Sequence, residues 1–127
     1  MFSRLTSQFI RYSQIRNISS SKILKKKIYT PTEEWILHTV ESTQIGVTKN
    51  AQEQLGELVY IDFSNQKGDI IKKDEELVTI ESVKATESIN APFDCVLQAN
   101  NISLEDDLEQ INQNPEDTWI VKVDEIP

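Results

Sequence analysis

Residues 77–92 read LVTIESVKATESINAP, and this stretch decides the fold that we expect. Leu77–Ile80 is rich in β-branched residues and predicts a strand. Ile89–Pro92 predicts a returning strand, and Lys84 lies near the middle of the segment between them. A hairpin of these two strands would place Lys84 at or near its exposed tip. The stretch therefore predicts an antiparallel strand pair with an accessible lysine between the strands.

Short apolar runs separated by turn signals occupy the chain on both sides of this hairpin. Two short helices are also predicted, one between Thr48 and Gly56 and one capped by Ser103. The apolar residues of the second helix recur at i, i+4 and i+7. This pattern favours a mainly β sandwich or flattened barrel with short flanking helices. The further predicted strands are Trp35–Val40, Gln44–Val47, Leu58–Phe63, Ile70-Ile71, Phe93–Leu97 and Trp119–Val123.

The charge of the chain is divided sharply between two segments. The chain has 127 residues and a formal net charge of −8, but its first 30 residues contain seven Lys and Arg and no acid. The remainder contains six Lys and all 21 acids, a formal charge of −15. A basic, Ser-rich, acid-free segment is typical of a mitochondrial transit peptide. We therefore expect residues 1–27 to be a transit peptide that is cleaved near residues 18–27. Residues 28–127 should form the domain, and the protein should reside in the mitochondrial matrix. The alternative is a basic tail that binds nucleic acid or membrane.

The composition of the domain excludes several classes of function. A segment of charge −15 should repel nucleic acid and anionic lipid, and no apolar run is long enough to span a membrane. The single cysteine, Cys95, excludes an internal disulfide framework, and the single histidine, His38, excludes most catalytic dyads and metal clusters. We accordingly predict no catalytic residue and no metal site.

The physical interpretation of Lys84 leaves alternatives open. A lysine at a hairpin tip is accessible and held in a defined direction, as the attachment site of a swinging arm requires. A lysine between two strands is more often a solvated charge, and a Schiff-base lysine is a further alternative. The latter needs a desolvated pocket with acid–base helpers, and the neighbours of Lys84 in sequence include no aromatic or cationic residue.

Several blocks of the chain, in the same order, resemble the glycine cleavage system H-protein family. The resemblance implies a lipoyl-type barrel-sandwich hybrid fold, with lipoate attached covalently to Lys84 as N6-lipoyllysine. Glu33 departs from the family pattern, which usually has His at this position. The matching blocks are Tyr29-Thr30 with Glu34-Trp35, Gly46-Val47-Thr48 with Ala51–Gly56, and Val78–Ala85 with Ala91-Pro92.

The resemblance also implies a function as a non-catalytic carrier. Lys84-lipoate would accept an aminomethyl group from the pyridoxal phosphate enzyme glycine decarboxylase and present it to a tetrahydrofolate-dependent aminomethyltransferase. The flavin enzyme dihydrolipoyl dehydrogenase would reoxidise the dithiol, and a lipoate-attaching enzyme would modify the lysine. An alternative is a lipoate donor for the lipoylation of 2-oxoacid dehydrogenases. A biotin carrier is disfavoured because Val83 and Ala85, rather than methionines, flank the lysine. An acyltransferase domain or an unmodified interaction module are further alternatives.

Overall fold

A computed structural model describes residues 26–127, which form two antiparallel sheets with short helices at their margins. The helices are α1 (Lys49–Leu55), α2 (Glu109–Gln113) and two 3₁₀ segments, Ile102–Glu105 and Pro115–Asp117. The strands are β1 (Lys27–Tyr29), β2 (Glu34–His38), β3 (Thr43–Val47), β4 (Leu58–Phe63), β5 (Ile70–Ile71), β6 (Glu76–Ser82), β7 (Thr86–Asn90), β8 (Cys95–Asn100) and β9 (Val121–Glu125).

The two sheets enclose the core. The larger sheet has the strand order β1-β2-β3-β9-β8-β5, and the smaller has the order β4-β6-β7. Val78 of β6 and Val121 and Val123 of β9 are fully buried, so both sheets contribute to one apolar cluster. Leu104 and Ile111 from the helical segments are also fully buried in it. The predicted mainly β sandwich with short helices is confirmed.

The central hairpin is tighter than the sequence pattern indicates. β6 pairs with β7 in antiparallel register, with Val78 opposite Ile89 and Glu81 opposite Thr86. The returning strand therefore begins at Thr86, whereas the sequence predicted Ile89–Pro92. Because β6 runs on to Ser82, only residues 83–85 form the loop.

The predicted helix capped by Ser103 is divided into two pieces. A 3₁₀ turn covers Ile102–Glu105, and α2 begins only at Glu109. Three consecutive acids, residues 105–107, lie at the end of this turn and directly after it, and aspartate is a weak helix former whose like charges repel one another. Leu104 and Ile111 are nevertheless both buried, so the apolar spacing identified the core residues although the helix is not continuous.

The sequence interpretation missed β1. Residues 27–29 pair with Trp35–Leu37 of β2, and Lys27 donates a hydrogen bond to the backbone carbonyl of Glu116. The hydroxyl of Tyr29 donates to the Glu116 carboxylate at 3.0 Å. Lys27 thus belongs to the folded part of the chain. The remainder of the predicted transit peptide, residues 1–25, lies outside the described residues.

The start of the larger sheet is built around Trp35. Its indole is 2% exposed, and its Nε1–H donates to the carbonyl of Pro115 at 3.0 Å. Gly46 is its register partner on β3. A Cβ atom on Gly46 would lie 2.5 Å from two indole carbons, so the indole occupies the space above the glycine. Glycine is required at this position because it has no side chain, and not because of its backbone freedom.

Candidate functional site

The hairpin loop presents Lys84 at one end of the smaller sheet. Ser82 organises this loop: its hydroxyl accepts hydrogen bonds from the N–H groups of Lys84 at 3.0 Å and Ala85 at 3.1 Å. The N–H of Ser82 donates to the carbonyl of Ala85 at 2.8 Å, closing the turn. Lys84 is exposed, as expected from the sequence. The role of Ser82 was missed, although serine hydroxyls commonly bond backbone N–H groups two or three residues ahead.

The side chain of Lys84 lies against the end of α1. Gly56 ends this helix with φ = 85°, and its N–H donates to the carbonyl of Gln52 at 2.9 Å. A Cβ atom on Gly56 would lie 3.3 Å from Cε and 4.0 Å from Nζ of Lys84. Glycine at this position therefore serves two purposes, since it adopts a backbone conformation that other residues avoid and leaves room for the lysine. The sequence indicated only the first of these.

A cleft of about 360 Å³ opens beside the loop, between α1, β2 and the β6–β7 hairpin. Ala85 is among the residues that line it, together with apolar side chains from both sheets and from α1. Glu33, Glu34 and Glu87 also line the cleft. The cleft is therefore partly apolar and strongly acidic, a combination that suits an aliphatic chain ending in a cationic group.

Glu34 supplies the buried charge of this cleft. It is 7% exposed, and its Oε1 accepts hydrogen bonds from the hydroxyls of Thr30 at 2.6 Å and Thr32 at 2.7 Å. No described lysine is paired with it. A buried carboxylate held by two hydroxyls beside a cavity is suited to accept a hydrogen bond from an amine. The sequence blocks contained Glu34, but no sequence signal placed it in a cleft beside the β6–β7 hairpin.

Glu33, the position at which the chain departs from the family pattern, lies at the rim of the cleft. Its backbone has φ = 70°, and its carboxylate accepts hydrogen bonds from the Thr48 hydroxyl at 3.0 Å and the Asn50 amide at 2.8 Å. Thr48 also caps α1 by accepting from the N–H of Ala51 at 3.1 Å. Glu33 therefore ties β2 to the start of α1, where a negative charge is favourable.

His38 and Cys95 lie away from the site. His38 is exposed, bonds the Thr43 hydroxyl at 2.9 Å and stacks on Phe93. Cys95 is fully buried in the core between the sheets. Within residues 26–127, no three His, Cys, Asp or Glu side chains are grouped as metal ligands would be, and no helix is long and apolar enough to cross a membrane.

We predict that the Cys95 thiol is unreactive in the folded protein. Burial, followed by the charges of Asp94 and Glu125, raises its pKa to about 11 from an ordinary value of 9.0. The thiolate fraction at pH 8 should therefore be about a hundredfold lower than in the unfolded chain. Labelling by iodoacetamide, followed by mass spectrometry with and without urea, measures this difference. Equal labelling rates in the two conditions would contradict the buried position.

Comparison with known proteins agrees with this architecture. A profile of the glycine cleavage H-protein family matches residues 27–126. The chain belongs to the glycine cleavage H-protein family. A glycine cleavage system H protein of Listeria monocytogenes (serotype 4b) is 40% identical over 103 residues, covering 80% of this chain and 82% of that protein. One from Thermotoga maritima is 38% identical over 102 residues, with the same coverage.

A solved structure shows the same H-protein fold. The crystal structure of a glycine cleavage system H protein from Mycobacterium marinum superposes with a TM-score of 0.70 at 25% sequence identity. The match covers 78% of this chain and 83% of that one. The architecture implied by the sequence resemblance therefore agrees with an experimental structure of a family member.

The comparisons also correct one prediction from the sequence. H-protein relatives of this chain come from Listeria, Thermotoga and Lachnoclostridium, which are bacteria and have no mitochondria. The expected location in the mitochondrial matrix is therefore wrong, and the relatives do not support a mitochondrial H-protein. The physical reason is that a basic, acid-free composition is not specific: it is equally expected of a tail that contacts an anionic surface.

Proposed function

We propose that this chain is the lipoyl-lysine carrier protein of the glycine cleavage system and that Lys84 holds lipoate as an amide. The observation that carries the proposal is the placement of Lys84 at an exposed, hydrogen-bonded hairpin tip beside an acidic cleft. Membership of the H-protein family supports the same role. A merely solvated lysine would not require the ordered turn that Ser82 provides.

The residues present fit a lipoyl group. Lys84 Nζ is accessible for amide formation, and a lipoyl-lysine arm would reach on the order of 14 Å from the backbone. The group itself supplies a dithiolane, whose disulfide can open, hold a transferred group on one sulfur and close again. Ser82 holds the loop backbone at the lysine, and Gly56 leaves room for the lysine side chain.

The acidic cleft is assigned a role in holding the transferred group. An aminomethyl group contains an amine that is cationic near neutral pH. Glu34 is the most buried carboxylate of the cleft, and its hydroxyl partners Thr30 and Thr32 keep it oriented. It would accept a hydrogen bond from that amine while the apolar wall, including Leu55 and Ile80, excludes water from the arm.

The partner enzymes would make and break the covalent bonds of the lipoyl arm. Glycine decarboxylase, with pyridoxal phosphate, would load the arm with an aminomethyl group; the tetrahydrofolate-dependent aminomethyltransferase would unload it. Dihydrolipoyl dehydrogenase, with its flavin, would reoxidise the dithiol. The chain itself positions the arm and is recognised by each partner in turn, so no side chain of its own is assigned a catalytic role.

Reconstitution tests this proposal. The three purified partner enzymes, glycine, tetrahydrofolate and NAD⁺ are combined with increasing amounts of the lipoylated chain, and release of labelled CO₂ is followed. Because a carrier acts as a substrate of its partners, the rate should rise with its concentration and then saturate. An unlipoylated preparation is the control and should support only background release. Equal rates with the two preparations would refute the carrier assignment.

A further inference from the structure

An exposed apolar cluster lies beside the tip of the β6–β7 hairpin. Val59 is 52%, Tyr60 53% and Val83 71% exposed. The rest of the outer face of the smaller sheet is polar, with Asp62, Thr79 and Ser88 in its next row. We call Val59, Tyr60 and Val83 the tip patch. Because these three apolar residues lie together on a face that is otherwise polar, we interpret them as a contact surface and not as scattered apolar residues.

A β-bulge in β4 exposes two residues of the tip patch. Leu58 pairs with Ser82 and Tyr60 pairs with Glu81, so Val59 is an extra residue bulged between the two pairs. The bulge exposes two consecutive residues of β4 where regular alternation would bury one. Bulges commonly re-aim side chains in this way near functional sites.

The tip patch lies in the loop that carries Lys84 and in the strand paired beside it. Val83 directly precedes the lysine, and the lysine side chain lies against Gly56, at the start of the segment that leads into Val59 and Tyr60. A protein that contacts Lys84 Nζ directly therefore packs on the same end of the hairpin that carries this patch.

The reach of the lysine identifies the kind of partner. Before lipoylation, only the lysine side chain extends from the loop, about 6 Å from Cα to Nζ. An enzyme that acylates the amine must bring its acyl carbon to about 3 Å from Nζ, so its surface must pack closely on the tip. Enzymes that act on the finished arm meet its end on the order of 14 Å away and need no such contact.

Resting on the function proposed above, we infer that the tip patch is the recognition surface for the lipoate-attaching enzyme. Glu57 and Glu81 border the patch, so the complementary surface is an apolar depression bordered by Lys or Arg. The step served is acyl transfer from a lipoyl adenylate. The neutral Lys84 amine attacks the acyl carbon, the N–C bond forms, and the bond to the adenylate oxygen breaks. Adenylate leaves with its electron pair and the amide nitrogen loses a proton to solvent.

Kinetics of lipoylation test this inference. Val59→Ser and Tyr60→Ser are compared with wild type in an assay that contains purified lipoate-attaching enzyme, ATP and lipoate. Loss of a central aromatic or aliphatic anchor should raise KM for the protein about tenfold and leave kcat unchanged. Ile70→Ser is the matched control, since Ile70 is 66% exposed but lies on β5 of the other sheet. Thermal unfolding verifies that each variant is folded.

A second measurement separates recognition of the tip from use of the arm. Variants lipoylated to completion with excess enzyme should support glycine decarboxylation with KM within about twofold of wild type. An unchanged lipoylation KM in both patch variants would overturn the inference, as would an equal rise in the decarboxylation KM. Failure of the proposed function is distinguishable, because the wild-type protein would then accept no lipoyl group at Lys84.

Discussion

Lys84→Arg is expected to abolish both lipoylation and glycine-dependent aminomethyl transfer while leaving the fold intact. Arginine keeps the positive charge and most of the aliphatic stem, but its guanidinium does not form the lipoyl amide. Lys84 is exposed, so the free energy of unfolding should change by no more than ~0.5 kcal/mol. Lipoylation is measured by mass spectrometry, transfer by labelled CO₂ release, and stability by urea denaturation.

Lys73→Arg is the matched control for this experiment. Lys73 is an exposed lysine in the turn between β5 and β6, and its exchange for arginine should leave lipoylation and transfer unchanged. Adding separately lipoylated wild-type protein to the Lys84→Arg reaction should restore the rate in proportion to the amount added. Normal glycine cleavage by the Lys84→Arg variant, with no other H-protein present, would contradict the assignment.

Gly46→Ala should lower the free energy of unfolding by about 3 kcal/mol, at the upper end of the usual cost of overpacking. The new Cβ atom would lie 2.5 Å from the indole carbons of Trp35, far inside van der Waals contact. The indole is held by its hydrogen bond to Pro115 and by Lys27, whose Nζ lies 4.4 Å from the ring centroid, so it has little freedom to move away. Urea denaturation measures the loss.

A double-mutant cycle distinguishes this clash from an effect on the backbone. Trp35→Leu is destabilising alone because it removes a buried aromatic side chain. It also vacates the space that the Cβ atom requires. Adding Gly46→Ala in the Trp35→Leu background should therefore cost less than about 1 kcal/mol. If Gly46→Ala costs the same in both backgrounds, the packing of the indole on Gly46 is not the reason for glycine at this position.

The hairpin and the core could be predicted from the sequence because their signals are local and periodic. Val78 and Ile80 alternate with polar residues along β6, and the structure buries both. The spacing of Leu104 and Ile111 also identified buried residues. The same spacing failed to show that the helix is interrupted, because apolar periodicity reports the buried face and not the continuity of the hydrogen bonds.

The features that escaped prediction depend on contacts between residues distant in sequence. β1 is stabilised by pairing with β2 and by Glu116, 89 residues beyond Lys27. Likewise, Gly56 resembles an ordinary helix-terminating glycine until the fold places the Lys84 side chain against it. Glu34 becomes a cleft residue only when β2 faces the β6–β7 hairpin. In each case the residue type was visible in the sequence, and its partner was not.

Locating the lipoyl group in the protein isolated from its native source is the most direct test of lipoylation at Lys84. Cleavage after glutamate, at Glu81 and Glu87, releases the peptide Ser82–Glu87, in which Lys84 is the only lysine. Tandem mass spectrometry of this peptide should show the mass of one lipoyl group on Lys84, with no such increment on any other lysine of the chain. An unmodified Ser82–Glu87 peptide in protein that supports glycine cleavage, or a lipoyl group on a different lysine, would contradict the central claim.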